Sequence, residues 1–284
     1  MDRKAVATQT MAIMEQGYYE TAGVRVEIGK RQDYSKANSL LLTPSQAGAL
    51  LEGYGKDSAC PCTAVSDTVQ ETTYTVRNCG TVDAILELVS QGKQAAVLNF
   101  ASAKNPGGGF LNGAMAQEES LAASGCLYET QIIHEDYYKN NRACGTMMYT
   151  DHAIYSPDVV FFRDGKFSLL REPVTASVLT LPAVNMGQVM LKGENRTEAE
   201  RVMKRRMGIA LAIFAQQRCR HLILGAYGCG VFRNDPVLIA KWWEEWLSGA
   251  FSGMFESIVF AVLDRPGGSC INAFEHRFGR TAAE

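Results

Sequence analysis

No stretch of this sequence approaches the roughly 20 consecutive apolar residues that a membrane-spanning helix needs. Its first nineteen residues are interrupted by Arg3, Lys4, Gln9 and Glu15, so no signal-peptide core is expected there. Charge of one sign is equally scarce, with 28 basic against 30 acidic residues and a formal charge of −2. That balance excludes a broad basic face neutralising many phosphates at once. Sequence-specific nucleic-acid binding is therefore not expected, and an anionic ligand must be held in a pocket by backbone amides or single side chains. The four histidines, His134, His152, His221 and His276, share no metal-ligand spacing, and neither a catalytic metal nor another cofactor is expected. Among eight cysteines the only close pair is Cys60-Pro61-Cys62, too tight for a zinc knuckle. Reduced thiols in a cytoplasmic protein are the expectation, a disulfide-tied secreted protein the alternative. No repeat and no polar low-complexity tract occurs.

What remains is an ordinary globular composition, 46% hydrophobic and 20% charged over 284 residues. It suffices for one large or two small domains with a core able to carry a cleft. Val6, Thr10, Ile13 and Met14 recur at helical spacing between Arg3 and Tyr19, with Gly17 as a stop. From Val24 to Tyr74 short mixed segments read as strands and irregular turns. TVDAILELVSQG, from Thr81, reads as a helix with Asp83 in its first turn, an Ile85, Leu86, Val89 face and Gly92 as its stop. QAAVLNFAS follows as a strand buried on both faces, and Val159–Asp164, Ala176–Val184, His221–Gly228 and Ser257–Asp264 read alike. Helices are expected over Thr197–Cys219, opened by a Thr197/Glu200 capping box, and over Pro236–Phe255, whose Trp242, Trp243 and Trp246 are at core-packing spacing. Strands alternating with helices give an α/β layered domain from about residue 75 onward.

Two glycine clusters stand where a buried strand feeds a helix, the context in which side-chain-free amides gather around an anion. The first is NPGGGFLNGAMAQEES, from Asn105 to Ser120, with its helix expected to begin near Asn112. The dinucleotide fingerprint fails there because position 112 is asparagine, and no Gly-Lys-Ser or Gly-Lys-Thr occurs. Glu118 and Glu119 follow at once. Successive helical residues diverge by about 100°, so the two are expected to point apart. The plain reading is a solvated surface turn, but their closeness to an anion-binding loop makes them candidates for chemistry. The second cluster is GAYGCGVFRNDP, from Gly225 to Pro236. Two such loops at the carboxyl ends of neighbouring strands would enclose a pyrophosphate-containing ligand.

GGG, seven residues and QEE, together with VLNFASAKNPGGGFLNGAMAQEESL, IYSPDVVFFRD and LGAYGCGVFRND in this order, resemble the microbial branch of the poly(ADP-ribose) glycohydrolases. The resemblance covers the chain from about residue 95 onward and, less specifically, the leading helix. It implies a macrodomain-like three-layer α/β/α sandwich with a mixed central sheet and an N-terminal helical extension. Residues 1–75 would be the extension packed on the core, and residues 76–284 the catalytic domain. The implied substrate is poly(ADP-ribose) or an ADP-ribosylated macromolecule, the product is ADP-ribose, and the implied role is reversal of ADP-ribosylation, including after DNA damage.

Carried over by position, Gly107, Gly108 and Gly109 would close around the terminal ADP-ribose. Gln117 would orient the catalytic segment, Glu118 would hydrogen-bond ribose hydroxyls, and Glu119 would be the catalytic carboxyl. Gly228, Cys229 and Gly230 would line the diphosphate, with Val231 and Phe232 shaping the distal ribose. Asn99 and Asn105 are candidates without an assigned role, and the adenine contacts are not assigned. Hydrolysis of the ribose–ribose bond requires a proton for the departing oxygen, for which Glu119 is the expected source, helped by an anionic ligand that disfavours its ionised form. Two alternatives stay open: a hydrolase of single ADP-ribose units on protein or nucleobase, and a non-catalytic ADP-ribose reader.

Overall fold

The computed structural model describes residues 2–55 and 71–279, so the Cys60-Pro61-Cys62 pair lies outside the described residues. In chain order the helices are α1 (Arg3–Gln16), α2 (Gly29–Ala37), α3 (Pro44–Gly55), α4 (Thr81–Ser90), α5 (Gln117–Ser124), α6 (Leu127–Ile132), α7 (Glu135–Ala143), α8 (Met186–Leu191), α9 (Arg196–Gln216), α10 (Pro236–Ser248) and α11 (Ser269–Phe278). The strands are β1 (Tyr18–Thr21), β2 (Val24–Glu27), β3 (Leu40–Leu42), β4 (Thr73–Arg77), β5 (Ala95–Ala101), β6 (Ala153–Arg163), β7 (Leu169–Pro182), β8 (His221–Leu224) and β9 (Ser257–Ala261). β1 and β2 form a hairpin, and the other seven strands make one sheet in the order β3-β6-β7-β5-β8-β9-β4. Pairing is parallel from β7 through β5, β8 and β9 to β4, and antiparallel at β6 and β3, so the sheet is mixed.

β5 shows how the layers are built. Its alternating side chains go to opposite faces. Ala96 and Leu98 enter the core under α9 and α10, whereas Ala95 and Val97 enter the core under α4 and α5. Helices on both faces bury the sheet, which gives the α/β/α sandwich expected from the sequence. Among the described residues no helix is long and apolar enough to cross a membrane.

Several elements depart from their sequence-level reading. The segment from Val24 to Tyr74 holds two helices, α2 and α3, besides its strands. β3 joins the main sheet at one edge, so the first 75 residues contribute to the sheet itself. α4 buries Val82, Ile85 and Leu88, with Leu86 and Val89 on the margins of that face. α9 begins one residue before the expected capping box: Asn195 is its N-cap, its side chain accepts from Glu198 N at 3.0 Å, and Glu200 pairs with Arg196 instead. α10 stops at Ser248, because Gly249 leaves the helical conformation, and Phe251 and Phe255 fall in the turns that follow. Its tryptophans are core residues: Trp243 is fully buried and donates to Gly225 O at 3.1 Å, and Trp246 donates to Lys204 O at 2.8 Å.

α1 reaches across the molecule. Val6 and Ala7 pack with Phe110, Ala122 and Ala123, and Thr10 Oγ1 donates to Ala123 O at 2.7 Å. The backbone of Gly113 lies so close that an added Cβ would stand 3.2 Å from Lys4 Cγ. The leading helix thus braces the back of the segment that carries the glutamates.

Candidate active site

The first glycine loop leaves the carboxyl end of β5. Gly107 and Gly108 hold φ of 62° and 60°, a region that costs residues with a Cβ about 1–2 kcal/mol. Phe110–Asn112 form a single 3-10 turn closed by Gly113 at φ 79°. The helix expected near Asn112 therefore begins only at Gln117, because the left-handed glycine breaks the helical path between them. The loop's own amides are consumed internally. Gly107 N donates to Gln131 Oε1 at 2.8 Å, Gly108 N to Asn105 O at 3.1 Å, and Gly109 N to Glu119 Oε1 at 2.9 Å. What this loop offers is close approach of bare backbone.

Gln117 fills a vacancy in the sheet. β8 pairs with β5 only over Ala95–Val97, which leaves the backbone of Leu98 and Phe100 unpaired on that side. The Gln117 amide takes the missing strand's place: its Oε1 accepts from Phe100 N at 2.8 Å, and its Nε2 donates to Leu98 O at 2.8 Å. The first turn of α5 is thereby registered against β5 by two hydrogen bonds.

Glu118 is 3% exposed. Its Oε1 accepts from Asn99 Nδ2 at 3.1 Å and Gln131 Nε2 at 2.9 Å, and its Oε2 accepts from Ser102 N at 2.6 Å. Burial dominates and pushes the carboxyl up to about 7, even though these three donors favour the ionised form; the neighbouring Glu119 adds to the upward shift. Glu119 is half-buried and accepts from Gly109 N at 2.9 Å and Ala116 N at 3.0 Å. The second of these is half a capping box, since the Ala116 methyl can accept nothing in return.

The two carboxyl groups were expected to point apart, and they do not. A Cβ on Gly108 would overlap Glu119 Oε1, lie 2.9 Å from Glu119 Cδ and 3.1 Å from Glu118 Oε2. Their roots diverge around the helix, one inward and one half outward, but both sit in its first turn. There each side chain reaches past the helix end, and the tips converge on one bare backbone position.

The second loop leaves β8, the parallel neighbour of β5. Phe100 and Tyr227 bring the two loop roots together, with ring centroids 5.4 Å apart. Gly228 has φ 73°, and Asn234 holds the turn by donating from Nδ2 to Val184 O at 2.8 Å and Gly228 O at 3.0 Å. Among the described residues the N–H groups of Gly230, Val231 and Phe232 find no acceptor in the chain. Successive amides without an acceptor in the chain are available to an anion. Val231 is 80% exposed and Phe232 half-buried. Behind the loop the Cys229 thiol donates to Tyr227 O at 3.9 Å, and its interaction with the neighbouring Cys270 thiol lowers Cys270 to about 7 and raises Cys229 well above its usual value. Neither thiol is in a disulfide.

The sequence profile of the microbial-type PARG catalytic domain, the microbial class of poly(ADP-ribose) glycohydrolases, matches residues 7–164 of this chain. The chain belongs to the microbial-type PARG family. Its fold is similar to that of poly(ADP-ribose) glycohydrolase from Thermomonospora curvata, with a TM-score of 0.89 at 38% identity over 97% of this chain and 99% of that one. The same T. curvata enzyme bound to the inhibitor ADP-HPD matches with a TM-score of 0.88 at 37% identity over 97% and 99% of the two chains. Poly(ADP-ribose) glycohydrolase from Deinococcus radiodurans in complex with ADP-ribose matches with a TM-score of 0.79 at 38% identity, over 87% of this chain and 96% of that chain. No curated protein sequence matches.

In this microbial-type PARG the three-glycine loop, Gln117, Glu118 and Glu119 form one cluster, and Gly228, Cys229, Gly230, Val231 and Phe232 form the adjoining loop. Asn99 has a defined place as a donor to Glu118 and to Thr180 Oγ1, whereas Asn105 is exposed and contributes its carbonyl to the glycine turn. Sequence reasoning missed Gln131, Ser102 and Asn234. Gln131 lies on another helix with no motif around it, and only its complete burial marks it. Among the described residues no group of three or more His, Cys, Asp or Glu is placed to hold a metal ion.

Proposed function

We propose that this chain hydrolyses the ribose–ribose O-glycosidic bond at the end of poly(ADP-ribose) and releases ADP-ribose. The observation that carries this reading is the convergence of Glu118 and Glu119 on Gly108, next to a loop with three free amides. Ribose hydroxyls account for one carboxylate as acceptor, whereas a second carboxyl at the same position only repels a diphosphate ligand, so the arrangement favours chemistry over simple recognition. The relatives crystallised with ADP-ribose and with ADP-HPD are similar over nearly their whole length.

In this reading the diphosphate lies on the Gly230–Phe232 amides, and Gly107–Gly109 close over the terminal ribose. Glu119, half-buried at the bare backbone of Gly108, gives its proton to the departing ribose oxygen. The oxocarbenium-like centre is then attacked by water, which Glu119 as carboxylate deprotonates. Glu118, held by Asn99, Gln131 and Ser102, positions ribose hydroxyls and sets negative charge near the developing cation. Gln117 fixes the segment to β5. Cys229 supports the diphosphate loop from behind, and Val231 and Phe232 shape the distal ribose.

Residues 1–75 belong to the same proposal as an extension packed on the catalytic domain of residues 76–284, supported by the pairing of β3 with β6 and the seat of α1 behind the loop. Six free cysteines among the described residues support a reducing, cytoplasmic setting. A part in reversing ADP-ribosylation, including after DNA damage, belongs to the same proposal. The test is ADP-ribose release from purified polymer by wild type and Glu119→Gln, with calorimetry against free ADP-ribose. Wild-type release, with binding kept and turnover reduced about 1,000-fold in the variant, is expected from loss of the acid. Near-wild-type turnover in Glu119→Gln refutes the assignment.

A further inference from the structure

A second cavity, of about 440 Å³, opens beside α9 and is lined by Tyr149, Thr150, Asp151, Arg201, Arg205 and Arg206, among others. In a chain of formal charge −2, three guanidinium groups here meet two carboxylates, Asp151 in the lining and Glu198 beside it, which leaves a local excess of one positive charge. The three have different duties. Arg206 is fully buried and structural: it donates to Asp151 Oδ1 at 2.8 Å, Met148 O at 2.7 Å and Pro182 O at 3.0 Å, which fixes the 146–151 loop. Arg205 shares Asp151 with it but keeps 36% of its side chain exposed. Arg201 is 64% exposed and pairs only with the surface carboxylate of Glu198, an ion pair that an incoming anion displaces at little cost. Two guanidinium groups thus keep part of their surface exposed at the cavity, Arg201 more than Arg205.

The cavity is joined to the candidate active site by a continuous rim. The Tyr149 ring lies 6.2 Å from that of Phe232, centroid to centroid. Asn185 N donates to Met147 O at 3.0 Å, and Gly187 N donates to Phe232 O at 3.0 Å. The 146–151 loop, the 185–187 segment and the diphosphate loop are thus bonded into one edge. With Phe232 at the distal ribose, the sugar whose anomeric bond is cleaved, a polymer chain leaving the cleft along this edge would pass Tyr149. The next groups on that path are the arginines of the cavity.

That chain begins with an adenosine carrying a diphosphate. An aromatic face suits the base, and forked guanidinium groups suit the phosphates. We propose that this cavity is a leaving-group subsite for the penultimate ADP-ribose unit, with Arg201 and Arg205 on its diphosphate and Tyr149 against its adenine. The proposal rests on the reading of the cleft as a polymer-terminus site and extends it to the other side of the scissile bond. It makes the enzyme a reader of two units rather than one.

The test compares Arg201→Glu and Arg205→Ala with wild type on two substrates: long polymer, and ADP-ribose carrying a small aryl leaving group. Arg201 is a surface residue, so its variant stays folded even if loss of Arg205 disturbs the Asp151 pairing. For long polymer, Arg201→Glu is expected to raise KM about 10-fold, with kcat, the Kd of free ADP-ribose and all constants for the aryl substrate unchanged. The log–log salt dependence of polymer KM should become shallower by about 0.7 for each phosphate that the variant no longer neutralises. Wild-type activity on polymer with unaltered KM and salt slope in folded variants overturns the subsite while leaving the cleft assignment intact. Absence of polymer hydrolysis by wild type overturns both.

Discussion

Gly108 occupies the space in which the Glu119 carboxylate must turn: a Cβ there would stand 2.9 Å from Glu119 Cδ, at a backbone φ of 60°. Gly108→Ala is therefore expected to combine a backbone cost of about 1–2 kcal/mol with displacement of the Glu119 carboxyl. Turnover should fall at least about 100-fold, because misplacement of a reacting group by about 1 Å costs that much. Thermal denaturation should show a cooperative transition at modestly lower temperature. A folded variant with near-normal turnover would mean that Glu119 need not stand where it does.

The Glu118 carboxyl titrates at about 7, above the usual carboxylate range. The folded state then holds a proton that the unfolded state releases, so between about pH 4.5 and 7 folding takes up a proton. The associated stability is fully present below pH 4.5 and is lost as pH rises to 7, by an amount on the order of 3 kcal/mol. Urea unfolding across this window should show that decline in wild type and a flatter profile in Glu118→Gln. With the ionised form as the acceptor of ribose hydroxyls, kcat/KM should rise across the same pKa, and Glu118→Gln should lack the limb.

Gln131 ties Gly107 N to Glu118 Oε1 through one amide. Gln131→Leu leaves both partners short of a hydrogen bond and is expected to cost about 1–3 kcal/mol. A purely structural loss would stop there. Because the Gln131 amide also holds the Glu118 pKa down, its removal should move the rising limb of kcat/KM to higher pH. A pH profile that does not shift would leave Gln131 with a packing role alone.

The neighbouring Cys229 thiol lowers Cys270 to about 7. Cys126 is buried and pushed far up. Iodoacetamide at pH 7.5, followed by peptide mapping, should modify Cys270 well before Cys126, since the thiolate is the nucleophile. The modification rate should be half-maximal near pH 7, and in Cys229→Ala that midpoint should move upward.

Much of the frame was legible because periodicity and glycine placement are local signals. β5 announces itself as seven apolar-rich residues between polar ones, and both glycine clusters stand where strands end. The site's inner geometry was not local. The convergence of Glu118 and Glu119 depends on where Gly108 crosses in front of the α5 terminus, and that depends on the Gly113 break. Gln131 acts from α6, and the strand vacancy that Gln117 fills exists only because β8 is short. β3 was read only as a member of an irregular region, since three residues carry too little pattern to reveal an edge strand. The misread start of α9 had a simpler cause: Asn195 and Thr197 both offer a cap, and the earlier residue reaches Glu198 N.

The leading helix carries no residue assigned to the ligand, yet its Thr10, Val6 and Ala7 press on α5 and the turn before it. Proteolytic nicking in the hairpin after Gly17 would loosen this buttress and quench the enzyme from behind while leaving every ligand-facing group chemically intact. Sequence drift in α1 is accordingly answerable to turnover, and a screen for inactive clones should recover lesions there as well as in the pocket.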